Sequence, residues 1–285
     1  YGGTAWCFSN PIFNNVLDYL FIDEAGQVSL ANVVGMSAST RNLILMGDQM
    51  QLSQPTLGTH PGESGTSSLE YLLGKNRTID QSKGLLLPLS FRLHPKICNF
   101  VSQNVYEGRI SAIEENKLRF IEPQSQSKYL EASGIKYIEV EHFGNEQSSI
   151  EEINTIKEVI NEARKSRKKG FDNDKINDSD ILIISPYNHQ TRLLQDELGP
   201  SFQIGTVDKF QGREAPIVIV SMASSDVDSS PRGAEFLFDI NRLNVAVTRA
   251  QCLAVIVASK NLLNLRYLQP NNMRLYNFYL NLING

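Results

Sequence analysis

The sequence is poor in the residues that build covalent or metal-bound scaffolds. Three cysteines, Cys7, Cys98 and Cys252, and four histidines, His60, His94, His142 and His189, are scattered along the chain. With no CxxC pair and no Cys/His cluster, neither a disulfide framework nor a structural zinc site has its ligands, and the thiols read as reduced and partly buried in a cytoplasmic protein. No apolar run approaches the roughly 20 residues that a membrane-spanning helix needs, and the first residues lack a signal-peptide pattern, so no membrane partner is expected. An excess of positive charge is also missing. Lys and Arg total 27 against 31 Asp and Glu, a net charge of −4, which excludes coating of nucleic acid by bulk electrostatics and makes any such contact local. No repeat at a solenoid period is present.

What is there is an ordinary globular composition, 41% hydrophobic over 285 residues, enough for about two domains at a prior of about 150 residues each. Short apolar runs stop at polar clusters: Leu17 to Ile22 at Asp23-Glu24, Leu43 to Met46 at Gly47-Asp48, Ile181 to Ile184 at Ser185, and Ile217 to Val220 at Ser221. Leu253 to Ala258 is one more such run. Helical spacing follows Pro95 (Ile97, Phe100, Val101, Val105) and runs from Ile150 through Ile153, Ile156 and Ile160 to Ala163. Buried strands alternating with helices predict α/β layers with parallel sheets. The Gly/Ser/Thr-rich stretch from Gly58 to Lys83 predicts a connection, which divides the chain into 1–84 and 85–285 with an elaboration at about 111–149 around one strand, Lys136 to Val140.

Ligands of such sheets bind beyond the carboxyl ends of the strands, which directs attention to the polar residues there. Asp23-Glu24 could supply a hard ligand for hydrated Mg²⁺ and a carboxylate that orients water toward a phosphate, or could simply be a solvated turn. Gln51, in Gly47-Asp48-Gln49-Met50-Gln51-Leu52, can donate to a phosphate oxygen while accepting from water, although the same residues make an ordinary turn. Phe91-Arg92 offers a flat face and a guanidinium, or a core aromatic and a surface charge. The stretch Thr206 to Glu214 mixes charge, amide and glycine too densely for packing. In it Gly212 permits close approach, Glu214 supplies a carboxylate and Thr206 could meet a nucleic-acid phosphate. Arg242 and Arg249, seven residues apart, would share one face of a helix, as a basic stripe or as groups aimed at phosphate. The basic run Arg164 to Lys169 could touch phosphates, but such a run more often is the solvated end of a helix, with Gly170 closing it.

In this order the segments resemble the superfamily 1B helicases, the group that includes the eukaryotic RNA-surveillance helicase. Asp23-Glu24-Ala25-Gly26-Gln27 resembles their Walker B motif, Gly47 to Leu52 motif III, Phe91 to Pro95 motif IV, Thr206 to Glu214 motif V and Leu243 to Ala250 motif VI. Gly2-Gly3-Thr4-Ala5 is similar to the strand motif just before Walker B that touches nucleic acid. A closer resemblance, to the helicase half of prokaryotic proteins fused to a RecB-like nuclease, rests on His60 to Leu73, Val105 to Arg109 and Met273 to Asn277.

The resemblance implies RecA-like P-loop NTPase sheets, with a partial first domain and a complete second one. ATP would lie between them. Asp23 would hold Mg²⁺ through water, Glu24 would activate the attacking water, and Gln51 would sense the γ-phosphate. Arg92 and Arg249 would act as arginine fingers, Phe91 would stack near adenine, and Gly212 and Glu214 would approach the nucleotide. Thr4 and Thr206 would contact single-stranded nucleic acid, DNA rather than RNA. The loop GxxxxGK[ST] that grips triphosphate is absent; Gly58 to Ser64 is one residue short, with Glu63 where the lysine belongs. That gap and the start at Tyr1 set the expectation of a chain lacking the upstream domains of its parent and inactive alone. The competing reading is a non-catalytic nucleic-acid-binding module that retains the fold; a metal-dependent nuclease lacks the further acidic and lysine cluster it would need around Asp23.

Overall fold

The computed structural model describes residues 1–52, 58, 60–74, 76–124, 127–227, 230–264 and 272–284. The chain divides into two compact units, Tyr1–Leu86 and Leu87–Gly285.

In the first unit, α1 (Ala5–Phe8) precedes β1 (Leu17–Ile22), α2 (Leu30–Ser37), β2 (Thr40–Leu45) and α3 (Ser68–Leu73). β1 and β2 pair in parallel, from Leu17 opposite Thr40 to Ile22 opposite Leu45. Strand residues alternate between faces, so Leu20 and Ile22 are buried with Val33 and Met36 of α2, Phe8 and Leu69. On the other face Tyr19 and Phe21 are 59% and 60% exposed. Thr4 does not lie in a strand as its motif implies. Its carbonyl accepts from the Cys7 and Phe8 amides, which starts the helical turn of α1 and takes the backbone out of ladder pairing.

The second unit runs β3 (Leu89–Ser90), α4 (Pro95–Asn104), β4 (Ser111–Ala112), β5 (Phe120–Glu122), β6 (Gly134–Val140), α5 (Ile150–Lys165), β7 (Arg167–Lys169), β8 (Ile181–Ile184), α6 (Asn188–Leu198), β9 (Gln203–Gly205), β10 (Ala215–Ser221), α7 (Gly233–Leu237), α8 (Ile240–Val247), β11 (Ala250–Ser259) and α9 (Met273–Asn284). Its centre is a five-stranded sheet in the order β6-β11-β10-β8-β9, parallel at every pairing. The expected α/β architecture is therefore present. Gly134–Val140, assigned from sequence to the elaboration, is an edge strand of this sheet.

Burial explains the apolar runs. Ile181, Ile183, Ile217, Ile219, Leu253, Val255 and Val257 pack with Ile153, Ile156, Val159, Ile160 and Ala163, the one stripe that α5 carries at helical spacing. Ser149 starts α5 by accepting from the Glu152 amide at 3.1 Å, one of the orphan donors of a helix N-terminus. The alternating residues Leu182, Val218, Val220, Ala254 and Ile256 are equally buried, and α4, α8 and α9 pack against the strands as well. A sheet covered on both faces has no polar face, which is why its strands read as unbroken apolar runs.

The basic run is a solvated helix end only at Arg164 and Lys165, exposed in the last turn of α5. α5 stops at Lys165, and Arg167–Lys169 pairs antiparallel with β5; Lys168 is buried and its Nζ bonds Asp180 at 2.5 Å. The ion pair offsets part of the cost of burying that amine, and strand pairing with β5 overrides the helix signal. Among the cysteines, Cys98 and Cys252 are buried whereas Cys7 is exposed, and all three are free. Among the described residues, no helix is long and apolar enough to cross a membrane.

Candidate functional site

In the first unit, two loops leave the carboxyl ends of adjacent parallel strands and pack on each other. The Ala25 amide donates to Met46 O at 2.8 Å and the Met46 amide to Ile22 O at 2.9 Å. A Cβ on Gly26 would stand 2.6 Å from Asp48 O, and one on Gly47 2.8 Å from Ala25 N; only glycine permits the two backbones this approach. Below them the hydroxyl of Ser68, at the start of α3, donates to Ala25 O at 2.9 Å. Ala25 and Gly26 are thus buried while Asp23 and Glu24 stay exposed at the lip, with Glu24 at φ 51°. The Glu24 amide donates to Asp23 Oδ1 at 2.9 Å. In the neighbouring loop, Asp48 Oδ1 accepts from the Met50 amide at 2.9 Å and Oδ2 from Gln51 Nε2 at 3.2 Å, which orients the Gln51 amide.

This unit offers hard oxygens at a strand end, but among the described residues no group of three or more His, Cys, Asp or Glu could hold a metal ion. The donor set therefore fits a cation that arrives already liganded by water and phosphate, needing one protein carboxylate, rather than a protein cage. Gln27 Nε2 is buried without a hydrogen-bond partner, a donor left over beside the acidic loop. Sequence reasoning passed over it, as it passed over Ser68.

In the second unit three segments meet at the amino-terminal edge of the sheet. Arg92 precedes α4, Arg213-Glu214 precedes β10, and Thr248 to Gln251 span the start of β11. Arg92 Nε donates to Glu214 Oε2, and Glu214 Oε1 accepts from Gln251 Nε2 at 2.8 Å. Arg92 Nη1 also reaches Thr248 O at 3.5 Å. Arg249 lies past the end of α8, not on its face; it is 3% exposed, with Nε donating to Val245 O at 3.1 Å and Nη1 to Arg213 O at 3.4 Å. The helix ends at Val247 with Thr248 as its C-cap and β11 begins at Ala250, so Arg242 and Arg249 do not form one basic stripe. Phe91 is 69% exposed, which leaves its ring free of the core. Gly212 has φ 76° with open space where a Cβ would be.

Two residues not singled out from sequence hold this loop. Asn116, fully buried, donates through Nδ2 to Ser90 O at 3.2 Å and Leu93 O at 3.0 Å, which brackets Phe91-Arg92. Arg119 Nη1 donates to Phe91 O at 3.1 Å. No local pattern could reveal such long-range bonds. His94 caps α4 by accepting from the Lys96 amide at Nδ1, 3.2 Å; its burial, with Lys96 adding, holds the imidazole below its ordinary pKa.

Thr206 is elsewhere. It follows β9 at the carboxyl-terminal edge, and its side chain makes no capping bond to the short helical turn Val207–Phe210. Carboxyl-edge placement thus holds for Asp23, Glu24, Gln51 and Thr206, while Arg92, Glu214 and Arg249 sit at the amino edge of their sheet. The reason is that the segments after β9 and through α8 cross the whole sheet before the next strand starts.

The AAA domain family matches residues 65–261. The DNA replication ATP-dependent helicase/nuclease DNA2 of Gallus gallus is 28% identical over 254 residues, covering 87% of this chain and 24% of that protein. Helicase SEN1 of Saccharomyces cerevisiae (strain ATCC 204508 / S288c) is 29% identical over 251 residues, covering 82% of this chain and 11% of that protein. The solved arterivirus nonstructural protein 10 (helicase) in complex with DNA aligns with a TM-score of 0.42 at 14% identity, over 84% of this chain and 39% of that one. The chain thus spans about a quarter or less of the length of these curated relatives.

Proposed function

The chain belongs to the AAA domain family, in the superfamily 1B helicase group, and on that premise we propose that it carries part of an ATP-driven motor moving on single-stranded nucleic acid. The observation that carries the reading is the convergence of Arg92, Glu214, Gln251 and Arg249 at one edge of the second unit. Two guanidiniums fixed by carbonyls and one carboxylate, beside an open Gly212 and an exposed Phe91, suit a nucleotide: charge for phosphate, a flat ring for a base, and backbone that permits approach.

The roles are those the resemblance implies, and the positions described above support them for Glu24, Gln51 and Arg92. Glu24, exposed at the tip of its strand-end loop, takes the proton of the attacking water. Asp23 would hold Mg²⁺, which when bound would neutralise phosphate charge. Gln51, its amide set by Asp48, reports the terminal phosphate. Arg92 and Arg249 stabilise charge that grows in the transition state. Thr206 contacts the nucleic acid; for Thr4 the same role rests on the motif resemblance alone, since it starts α1 and lies in no strand. DNA is favoured over RNA by the DNA2 relatives, whose names describe DNA replication. Those names also include nuclease; no residue of this chain is assigned that chemistry, since its described carboxylates form no metal cluster. Upstream domains of the whole protein are proposed as partners on the missing phosphate loop, and a cytoplasmic setting on the free thiols.

The test is hydrolysis of ATP by the whole protein with and without single-stranded DNA or RNA oligonucleotides. DNA-stimulated turnover that vanishes in Glu24→Gln, with nucleotide binding retained, is expected. Turnover that survives this substitution removes Glu24 from its role, and no turnover in the unsubstituted protein favours the non-catalytic module.

A further inference from the structure

The second unit's sheet has two edges, and the proposed roles divide between them: Thr206 at the carboxyl edge, Arg92, Glu214 and Arg249 at the amino edge. The ladder sets Gly205 level with Ile184, and Ile184 level with Val220. β10 begins at Ala215, so the two levels are roughly 17 Å apart at about 3.3 Å per strand residue. Events at one edge cannot touch the other directly.

Two segments bridge that distance side by side. Thr206 to Glu214 leaves β9 at the carboxyl edge and reaches the amino edge to start β10. α8, about 12 Å long at 1.5 Å per residue, is followed by Arg249 and the start of β11. The segments are tied at both ends. Near the carboxyl edge Arg242 Nη1 donates to Asp208 Oδ2 at 3.1 Å. At the amino edge Arg249 Nη1 donates to Arg213 O at 3.4 Å. Asp208 stands two residues from Thr206, and Arg213 adjoins Glu214, whose carboxylate holds Arg92. The Arg242 guanidinium also lies over the Phe236 ring, 5.1 Å from its centroid, so the Asp208 carboxylate and this ring together fix its position.

We propose that the Asp208–Arg242 ion pair is a positioning link that couples nucleic acid at Thr206 to Arg249 and Glu214 at the opposite edge. A hydrogen-bonded helix resists axial compression, so a shift of its Arg242 end is carried to Arg249 rather than absorbed, the kind of rigid element through which sites at a distance exchange coupling energy. Neither residue touches ATP; both act through others. The link rests on the function proposed above and adds the path by which one ligand is felt by the other.

The experiment uses the whole protein with Asp208→Ala, Arg242→Ala and the double substitution. ATP turnover is measured without and with a saturating single-stranded DNA oligonucleotide, alongside oligonucleotide Kd and Tm. Each single variant is expected to keep its basal turnover and to lose about tenfold in stimulation, and the double variant to lose no more than either single, because a pair acting as one unit is not additive. Unchanged stimulation in the singles overturns the link. So do losses that multiply in the double, equal loss of basal and stimulated turnover, or stimulation regained at higher oligonucleotide concentration, which would make Arg242 a binding contact. If the unsubstituted protein shows no stimulated hydrolysis, the function proposed above falls and takes the link with it; stimulation present but untouched by the variants removes the link alone.

Discussion

Arg92 and Glu214 lie far apart in sequence and share a hydrogen-bonded ion pair, in which the second carboxylate oxygen of Glu214 is taken by Gln251 at 2.8 Å. Both oxygens are therefore engaged within the protein, and the carboxylate's evident work in this structure is to aim a guanidinium.

Removing that guanidinium tests its role. In the whole protein, Arg92→Ala and Arg249→Ala are each expected to lower kcat by about 10²–10³, the scale of losing one transition-state donor. Glu214→Gln keeps an acceptor for Arg92 and should cost about tenfold or less. Steady-state ATPase kinetics check this; an Arg249→Ala enzyme at full kcat would refute the finger role.

Asn116 should matter without touching substrate. Asn116→Ala strips the buried Leu93 carbonyl of its side-chain donor and takes one of two donors from Ser90 O, which keeps the Ile113 amide; the lost bond to Leu93 costs about 1–3 kcal/mol of stability. Thermal unfolding of the chain should register this as a lowered Tm. In the whole protein kcat should fall more than KM rises, because the loosened loop carries Arg92.

Acid should weaken the cap of α4. The pKa of His94 is lowered from 6.5 by burial and then by Lys96, so the folded protein prefers the neutral ring that accepts from Lys96. That contribution is fully present above about pH 6.5 and is lost as pH falls through the lowered folded value. His94→Asn keeps a capping acceptor that does not titrate. The variant's Tm should fall less between pH 7 and 5 than that of the unsubstituted chain; parallel curves would exclude His94 as the source.

The thiols should differ in reactivity. Burial raises the pKa of Cys98 to about 11 and that of Cys252 to about 12, which keeps both protonated and shielded at neutral pH. A thiol reagent applied to the native chain should modify Cys7 alone. All three cysteines should react once the chain is unfolded in urea, and rapid native reaction of Cys98 or Cys252 would contradict their burial.

The longer buried strands and the order of the motif segments were legible in the sequence, whereas the short strands β3, β4, β5, β7 and β9 were not. Ile181 to Ile184 and Ile217 to Val220 could be read because strands covered on both faces leave no polar position, and α5 because its stripe repeats at helical spacing. Asp23-Glu24 and Gln51 stand out as candidates because a polar cluster ending an apolar run is itself a local signal. Tertiary structure decided the rest. Arg167–Lys169 became a strand because Lys168 finds Asp180 and a β5 partner, which outweighs the local preference for a helix end. Arg249 was drawn off the helix face and buried against the Arg213 carbonyl, and Asn116 was recruited to hold a loop more than twenty residues away. Periodicity registers which side chains leave water together, and it is silent about hydrogen bonds between segments distant in the chain; those bonds place the two arginines at one edge of the sheet and Thr206 at the other.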